Sequence, residues 1–543
     1  MTNIFIFNNA SRAAEYGIGT YIRQLTGCLQ SLPDTKVSLV EMYADTKELS
    51  ISEDENGICH FLIPSLDSSI ENDTYCRIIF YFLARNINIS GNDRIIFQFN
   101  YFQHYPLAML LKSRYVDSRI WLTVHYMNWG FELKGNVKHL KIITADGHEP
   151  KDEQEKRVLS SYLAEKQFLH LSDAVIVLSS RTKNILTEIY DVPADKMHLV
   201  YNGIANKAQN EESVRVRGNV RRNILYAGRL EETKGLKYLI MAYEKIADKY
   251  KDTYLLIIGD GNFQPYLEQS RRLQGRVSFL GKMKSSEVEK LYRSAFLGVM
   301  PSFNEQCCYT VIEMMRHGIP IIGTDSTGLA EMLDATPDLR IHIDEDYFDE
   351  DAFVSQLISR LDLLLSDDDA YRHASEAIFK QYKERYTLDT MLSGVHNAVI
   401  ALHTNHSYVV SKDYLPYIDS RMVALVNSQP DIDTDFYGIA GIGIYLWWRV
   451  MHLEKIDTAD SANQHALIEE HLIYYLDWLK DIMNDGPLDA MICNLLVRMW
   501  KHVFCPTLIE RILEHCETIR ESTSFPTEQE ILHNALKICV CKI

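Results

Sequence analysis

Short apolar runs alternate with amphipathic stretches through most of the chain up to residue 343, and this alternation constrains the fold more than any other feature. The runs are apolar throughout rather than at every second position, which is typical of parallel strands buried on both faces. Strands that alternate with helices form βαβ units, so the pattern predicts parallel sheets covered by helices. The predicted strands are 3–7, 94–99, 119–124, 174–178 and 197–201 in a first set, and 223–228, 254–259, 276–281, 297–301, 320–324 and 339–343 in a second.

A polar stretch of mixed charge separates the two sets of strands and lacks apolar periodicity, which indicates a linker. After the second set the pattern turns helical, and amphipathic helices continue to the C-terminus. The predicted fold class is α/β, with two Rossmann-like domains facing a cleft, plus a small all-α C-terminal region. The expected boundaries are 1–205 for the first domain, 206–222 for the linker, 223–385 for the second domain, 386–403 for a helix that could cross back to the first domain, and 404–543 for a helical accessory region.

Charge and composition exclude some classes of function. The formal net charge of −18 argues against general affinity for nucleic acid phosphates, so no nucleic acid partner is expected. The ten cysteines form no matched CxxC pairs and are interpreted as free thiols of a reducing compartment. The first residues lack the basic start, long apolar stretch and cleavage site of a leader and are predicted to form a strand, and the most apolar segment, YGIAGIGIYLWW, is too short to span a bilayer. We therefore expect a cytoplasmic protein, with peripheral membrane contact left open.

Chemistry-bearing residues follow the strands of the second domain. In YAGRLEETKG, Arg229 and Lys234 flank the start of a helix, where they could bind a diphosphate, while Gly228 allows close backbone approach. The motif GDG places Gly259 at the end of the next strand. Ligands of doubly wound domains bind at the carboxyl ends of their strands, which favours a site here. Taken alone, the two basic residues would be better explained as solvated side chains of a βα turn.

The stretch FNEQCCYTVIEMMRHG contains two glutamates, with Glu305 just before a predicted helix and Glu313 one turn inside it. The residues alone leave three interpretations open: a general acid/base pair, a thiol site, or a sugar-binding loop. The first N–H groups of a helix lack intrahelical partners and attract anions. Those N–H groups belong here to Cys307, Cys308, Tyr309 and Thr310, and Glu331 lies at the next strand–helix junction.

The motifs GRLEETKG, GDG, E-QCCYTVI-E and HGIPIIGTDSTGLAEM occur in an order and spacing that resemble the nucleotide-sugar half of retaining GT-B glycosyltransferases of family 4 (glycosyl transferases group 1). Upstream, YGIGTYI, TVHYMN, VLSSRTKNIL and VYNGI resemble the other half of that family. The resemblance covers roughly residues 1–400. It implies that 1–205 binds the acceptor and that 223–385 binds the nucleotide sugar.

The resemblance also implies roles for individual residues. Arg229 and Lys234 would neutralise the diphosphate, Glu305 would bind the donor sugar, and Glu313 would hold the ribose. Gly17 and Gly19 would let the backbone approach the donor, and His125 would lie near the sugar and the acceptor. The catalytic set is therefore Arg229, Lys234, Glu305 and His125, and the donor-binding set is Gly17, Gly19, Gly228, Gly259, Cys307, Cys308, Tyr309, Thr310, Glu313 and Glu331.

The implied activity is retaining, metal-independent transfer of a hexosyl or related group from a nucleotide diphosphate sugar. The acceptor stays open between a glycan, a lipid-linked glycan and a peptide. No metal and no cofactor is predicted, since DIDTD at 431–435 lies in the helical tail, where a cap or turn explains it better. Residues Gln306 to Tyr309 replace the family's usual Gly-Phe-Gly, which is expected to affect the choice of donor sugar. The alternatives are an epimerase-like nucleotide-sugar enzyme, and an assembly or adaptor role of the tail, through which the chain could also form homo-oligomers.

Overall fold

A computed structural model describes residues 1–10, 17–65, 72–87, 93–115, 118–206, 221–404 and Ala466. The accessory region predicted for 404–543 lies outside them, apart from Thr404 and Ala466. Most of the predicted linker, 207–220, also lies outside them. Among the described helices, none combines the length and the apolar character needed to cross a bilayer.

The first domain is a mostly parallel sheet with the order β3-β4-β2-β1-β5-β6-β7-β8, in which only β3 runs antiparallel to its neighbour. Its strands are β1 (Thr2–Asn9), β2 (Thr35–Ala44), β3 (Ser50–Glu53), β4 (Cys59–Pro64), β5 (Arg94–Phe99), β6 (Arg119–Val124), β7 (Ala174–Val177) and β8 (Met197–Leu199). Its helices are α1 (Gly17–Gln30), α2 (Asn72–Asn86), α3 (Tyr105–Arg114), α4 (Trp129–Glu132), α5 (Val137–Ile143), α6 (Glu153–Leu171) and α7 (Ser180–Glu188).

The second domain is a parallel sheet with the order β11-β10-β9-β12-β13-β14. Its strands are β9 (Arg222–Ala227), β10 (Thr253–Ile258), β11 (Val277–Gly281), β12 (Ala295–Met300), β13 (Ile321–Thr324) and β14 (Arg340–Ile341). The helices that follow are α8 (Leu236–Ile246), α9 (Gln264–Gln269), α10 (Ser285–Ser294), α11 (Tyr309–Arg316), α12 (Thr327–Met332), α13 (Glu350–Ser366), α14 (Asp368–Arg385) and α15 (Leu388–Thr404). The predicted α/β class with two Rossmann-like domains is confirmed.

Each sheet reverses its strand order at a central pair, β1 and β5 in the first domain and β9 and β12 in the second. Loops leave such a pair in opposite directions, so a crevice opens at the carboxyl ends of its strands. The central strands of a sheet are covered on two faces, which explains the continuous apolar character of their sequences. In β1, Ile4 and Ile6 belong to one hydrophobic cluster, while Phe5 and Phe7 belong to another.

Three neighbouring strands on one side of the first sheet, β3, β4 and β2, were absent from the predicted strands. Strand β2 carries Lys36, Ser38 and Glu41 among its apolar residues, and β3 is exposed along its whole length. Polar residues interrupt the apolar run of β2 although it lies inside the sheet, and β3 has no apolar run, so neither strand matched the pattern by which the others were predicted. The strand β3 pairs antiparallel with β4 and forms this edge of the sheet.

The end of the described chain returns to the first domain. The N–H of Ile204 donates to the carbonyl of Tyr386 (3.1 Å), and the N–H of Leu388 donates to the carbonyl of Ile204 (2.9 Å). Helix α15 then packs against α1. One hydrophobic cluster consequently contains Tyr21 of α1, Val311 of α11 and Val395 of α15, which joins the two domains through apolar contact.

Gly259 offers a test of how closely β9 and β10 must approach at their carboxyl ends. Its φ is +149°, and a Cβ at this position would lie 1.8 Å from the carbonyl oxygen of Gly228. We expect Gly259→Ala to lower the free energy of unfolding by at least about 1–3 kcal/mol, measured by urea denaturation. Gly27→Ala is the control, because Gly27 lies exposed in α1 with no atom within 4 Å of the added methyl group. Equal stability of the two variants would contradict this description.

Candidate active site

A cleft of about 680 Å³ lies between the domains, at the carboxyl ends of the central strands of both sheets. This volume falls within the range of small-molecule sites. Ala227 and Met300, at the ends of β9 and β12, line one side, and Tyr101 and Leu178, just after β5 and β7, line the other. The cleft therefore lies at the two crevices that the strand orders create.

The structure brings most of the predicted site residues to this cleft. Those that line it are Gly17, His125, Gly228, Arg229, Lys234, Glu305, Cys307, Cys308, Tyr309, Thr310 and Glu313.

Lys234 and Glu305 form an ion pair within the cleft. Lys234 Nζ donates to Glu305 Oε1 at 2.6 Å, and the two side chains are only 13% and 12% exposed. Gly235 makes this meeting possible, since its φ of +67° turns the chain and a Cβ there would lie 2.1 Å from the carbonyl oxygen of Pro301. The turn after β9 therefore lies directly against the end of β12, which places an ammonium group beside a carboxylate with both side chains largely buried.

Arg229 supplies a second cation that is more accessible. Its guanidinium pairs with Glu231 at 2.8 Å, and the two side chains are 41% and 43% exposed. The hydroxyl of Tyr226 donates to the carbonyl oxygen of Arg229 at 2.8 Å, which holds the backbone in place. An exposed ion pair of this kind contributes little stability, so the guanidinium is available to an anion at low cost.

Helix α11 presents Glu313 to the cleft from its second turn. The hydroxyl of Tyr292 donates to Glu313 Oε2 at 2.8 Å, which orients the carboxylate. The helix ends as predicted, with His317 as its C-cap and Gly318 following it at φ +61°. Glu305 and Glu313 thus lie in different surroundings, one paired with an ammonium group and the other with a phenol.

Cys308 is the N-cap of α11 and makes no side-chain cap hydrogen bond. Its N–H donates to the sulfur of Met332 at 3.3 Å. Burial, reinforced by the charge of Glu305, raises the pKa of Cys308 to about 12. Burial also raises the pKa of Cys307. Both thiols are therefore protonated near neutral pH, and the thiolate interpretation of this loop gains no support.

His125 is held as a neutral imidazole in a defined tautomer. The amide nitrogen of Asn100 donates to the carbonyl of Phe7 (3.0 Å) and to Gln98 Oε1 (2.9 Å), so its oxygen faces His125. His125 Nε2 therefore donates to Asn100 Oδ1 at 2.9 Å and carries the proton. Burial lowers the pKa of His125 to about 3, and the ring meets Tyr21 edge-on at 4.6 Å.

Three predicted site residues lie elsewhere in the structure. Gly19 is buried within α1, and Gly259 packs beneath Gly228. The carboxylate of Glu331 faces the first domain, where it accepts the N–H of Ser180 (2.7 Å), the hydroxyl of Ser180 (2.6 Å) and the hydroxyl of Tyr201. Glu331 thus connects α12 to the first turn of α7, where the helix dipole favours a carboxylate.

Two further contacts between the domains were missed by the sequence analysis. The hydroxyl of Thr182 donates to Gln306 Oε1, and both side chains are buried. The amide nitrogen of Asn202 donates to the carbonyl oxygen of Cys307 at 2.6 Å. The motifs VLSSRTKNIL and VYNGI contain Thr182 and Asn202, so the resemblance marked these segments without indicating their partners.

Within the described ranges, no three or more His, Cys, Asp or Glu side chains are grouped so that they could hold a metal ion. The charged groups available to a ligand in the cleft are therefore the cations Arg229 and Lys234 and the carboxylates beside them.

Family models match both domains. Residues 17–206 match the model described as Glycosyltransferase Family 4, and residues 221–362 match the model described as Glycosyl transferases group 1. Together these ranges cover more than half of the chain. An uncharacterized glycosyltransferase of Methanocaldococcus jannaschii is 32% identical over 172 residues, which span 29% of this chain and 44% of that protein. The chain spans about half the length of the curated relatives it matches.

Solved structures agree with the fold. Sucrose-phosphate synthase from Thermosynechococcus elongatus superposes with a TM-score of 0.58 at 17% identity, covering 74% of this chain and 99% of that one. The Anabaena protein HepE, solved in complex with UDP, superposes with a TM-score of 0.51 at 13% identity, covering 74% of this chain and 100% of that one. At these identities the likeness shows the fold alone. With both domains matched in sequence and in fold, the chain belongs to the GT-B glycosyltransferases of family 4 and group 1.

Proposed function

We propose that this chain is a retaining glycosyltransferase, which moves a sugar from a nucleoside diphosphate sugar to a hydroxyl group of an acceptor. The observation that carries the proposal is the largely buried ion pair of Lys234 and Glu305 at the carboxyl ends of β9 and β12, with Arg229 beside it in the same cleft. Family membership supports it, and neither the epimerase nor the adaptor alternative gains support from the matched families.

The proposed reaction exchanges one bond at the anomeric carbon for another. The bond between that carbon and the phosphate oxygen breaks, and the acceptor oxygen forms a new bond on the same face of the sugar. The acceptor proton passes to the departing diphosphate, so no protein nucleophile is needed. Lys234 and Arg229 stabilise the negative charge that develops on the leaving group, and such preorganised electrostatics is usually the largest catalytic contribution.

The two glutamates act on the donor in this proposal rather than as an acid/base pair. A glycosidase needs two carboxyl groups on either side of the scissile bond. Here Glu305 is paired with Lys234, and Glu313 is oriented by Tyr292. We assign the sugar hydroxyls to Glu305 and the ribose hydroxyls to Glu313. His125, which carries its proton on Nε2, keeps Nδ1 as an acceptor near the sugar.

Two hydrogen bonds between the domains position the loop from Phe303 to Cys308, which we call the donor loop. Thr182 and Asn202 of the first domain hold Gln306 and the carbonyl of Cys307, which places the loop of the second domain against the first. We propose that Cys307 and Cys308 shape the donor pocket as protonated thiols. Thr182 and Asn202 anchor the donor loop and act only through it, so they are positioning residues and not catalytic ones.

Removing the ammonium group of Lys234 tests the proposed leaving-group stabilisation. We expect Lys234→Ala to lower kcat by roughly 100- to 1000-fold, by analogy with other transition-state donors. The measurement is release of nucleoside diphosphate from a panel of UDP, GDP, ADP and dTDP sugars. Lys237→Ala is the control, because Lys237 is 52% exposed and pairs with Glu350 outside the cleft. Similar rates in the two variants would contradict the role of Lys234.

The hydrogen bond from Thr182 to the donor loop is tested by Thr182→Val, which removes the hydroxyl group that donates to the buried oxygen of Gln306. An unpaired buried polar group costs about 1–3 kcal/mol, so kcat/KM for the donor is expected to fall by roughly 5- to 150-fold. Thr187→Val is the matched control, since Thr187 lies on the same helix with its side chain exposed. Unfolding curves of both variants are recorded as well. An unchanged kcat/KM in Thr182→Val would argue against the anchor.

The protonated state of Cys308 predicts its reactivity. With a pKa of about 12 the thiolate fraction at pH 8 is small, so iodoacetamide should alkylate Cys308 on the order of a thousandfold more slowly than glutathione in the same solution. The rate should keep rising with pH beyond 9, because the thiolate forms only as the pH approaches that pKa. Peptide mass spectrometry measures the modified fraction. Alkylation at a rate close to that of glutathione would instead support a reactive thiol.

A further inference from the structure

The two walls of the cleft differ in charge. Five Asp, Glu, Lys or Arg side chains are among the described residues that line the cleft, and all five belong to the second domain: Arg229, Glu231, Lys234, Glu305 and Glu313. The described residues of the first domain that line it include none; they are Gly17, Ile18, Thr20, Tyr101, His125, Tyr126, Phe131, Leu178 and Asn202. Among the described residues that line the cleft, the Lys and Arg side chains lie on the second-domain wall.

The first-domain wall also carries three aromatic rings, those of Tyr101, Tyr126 and Phe131. The rings of Tyr126 and Phe131 lie 5.8 Å apart at an angle of 55°. Phe131 is 39% exposed although it is a large apolar residue. An exposed aromatic ring in the lining of a pocket, here that of Phe131, offers a flat apolar face that suits the C–H face of a ring in a ligand.

The segment that carries these rings is firmly supported. Glu165, which is buried, accepts the N–H of Asn128 at 2.7 Å and the hydroxyl of Tyr190 at 2.7 Å. On its other side the segment touches the donor loop, because a Cβ at Gly130 would lie 2.4 Å from the amide nitrogen of Asn304. Tyr126 and Phe131 are therefore held at a fixed distance from the donor loop by packing on both sides.

His125 adds no charge to this wall. His125 precedes Tyr126 in the sequence, and its Nε2 donates to Asn100 Oδ1. The imidazole is neutral because burial lowers its pKa to about 3. A neutral imidazole can still accept a hydrogen bond from a hydroxyl group through Nδ1. The wall thus combines apolar rings with uncharged polar groups.

We propose that the acceptor is a neutral sugar or polyol ring that stacks its C–H face on Phe131 with the tilted ring of Tyr126 beside it, and that these two residues determine acceptor specificity. This inference rests on the proposed glycosyl transfer and names its acceptor class. A phosphorylated ring would place its charge against a wall that has no Lys or Arg among its described lining residues. A hydroxyl group of the neutral ring would face the donor loop, whose Asn304 and Glu305 line the same cleft.

Saturation-transfer NMR on the full chain tests the proposal with defined probes. The neutral probes are the methyl glycosides of glucose, galactose and mannose, and the anionic probes are the corresponding 6-phosphates. Binding of at least one methyl glycoside is expected, with a stronger signal than its 6-phosphate. Phe131→Ala should reduce that signal at least fivefold, whereas Phe131→Tyr should retain it because the ring is kept. Phe263→Ala is the control, since Phe263 is 48% exposed and lies outside the cleft.

The same samples are titrated with nucleoside diphosphates, which separates this inference from the proposed function. Nucleotide affinity should be unchanged in Phe131→Ala. The acceptor inference is overturned if the 6-phosphates bind more strongly, if no methyl glycoside binds at millimolar concentration, or if Phe131→Ala binds like the wild type. It is also overturned if Phe131→Ala weakens nucleotide binding, because the ring would then serve the donor. Absence of nucleotide binding in the wild type would instead count against the glycosyl transfer itself.

Discussion

The loop from Phe303 to Cys308 contacts both domains, and the shape of the cleft depends on it. From the first domain, Thr182 binds the side chain of Gln306 and Asn202 binds the carbonyl of Cys307. From the second domain, the N–H of Gly328 donates to the carbonyl of Glu305 at 2.8 Å. The loop is thus fixed from two directions, and Glu305 is held at a defined height beside Lys234.

The parallel arrangement of the second sheet explains why this loop lies close to the neighbouring turns of its own domain. Since every strand of the second sheet runs in the same direction, all the turns that follow β9, β12 and β13 emerge on one edge. Three close backbone approaches then become necessary, at Gly235, Gly259 and Gly328, where a Cβ would lie 2.1 Å, 1.8 Å and 1.8 Å from a carbonyl oxygen. Glycine at these positions lets the turns pack together, and the charged side chains of Lys234 and Glu305 meet as a consequence.

Much of this could be predicted from the sequence, because continuous apolar runs identify strands buried on two faces. The strand β5 was predicted with its observed bounds, whereas β2 was missed because polar residues interrupt it. Residues that follow the strands directly, such as Lys234 and Glu305, were placed in the cleft. Glu331 was predicted there as well, but its carboxylate binds Ser180, because the direction of the side chain depends on packing against residues distant in sequence. For Cys308 the helix start favours a thiolate and burial opposes it, and only the structure shows that burial is the larger effect.

Binding of a nucleoside diphosphate sugar to the described cleft is the central claim, and a thermal-shift screen of such sugars tests it most directly. A ligand that binds only the folded chain stabilises it by about 2.7 kcal/mol at 100 times its Kd. The account predicts that at least one nucleoside diphosphate sugar raises the unfolding temperature, while the matching nucleoside without phosphates does not. If no nucleoside diphosphate sugar shifts the transition at millimolar concentration, or if the nucleoside alone shifts it equally, the account is contradicted.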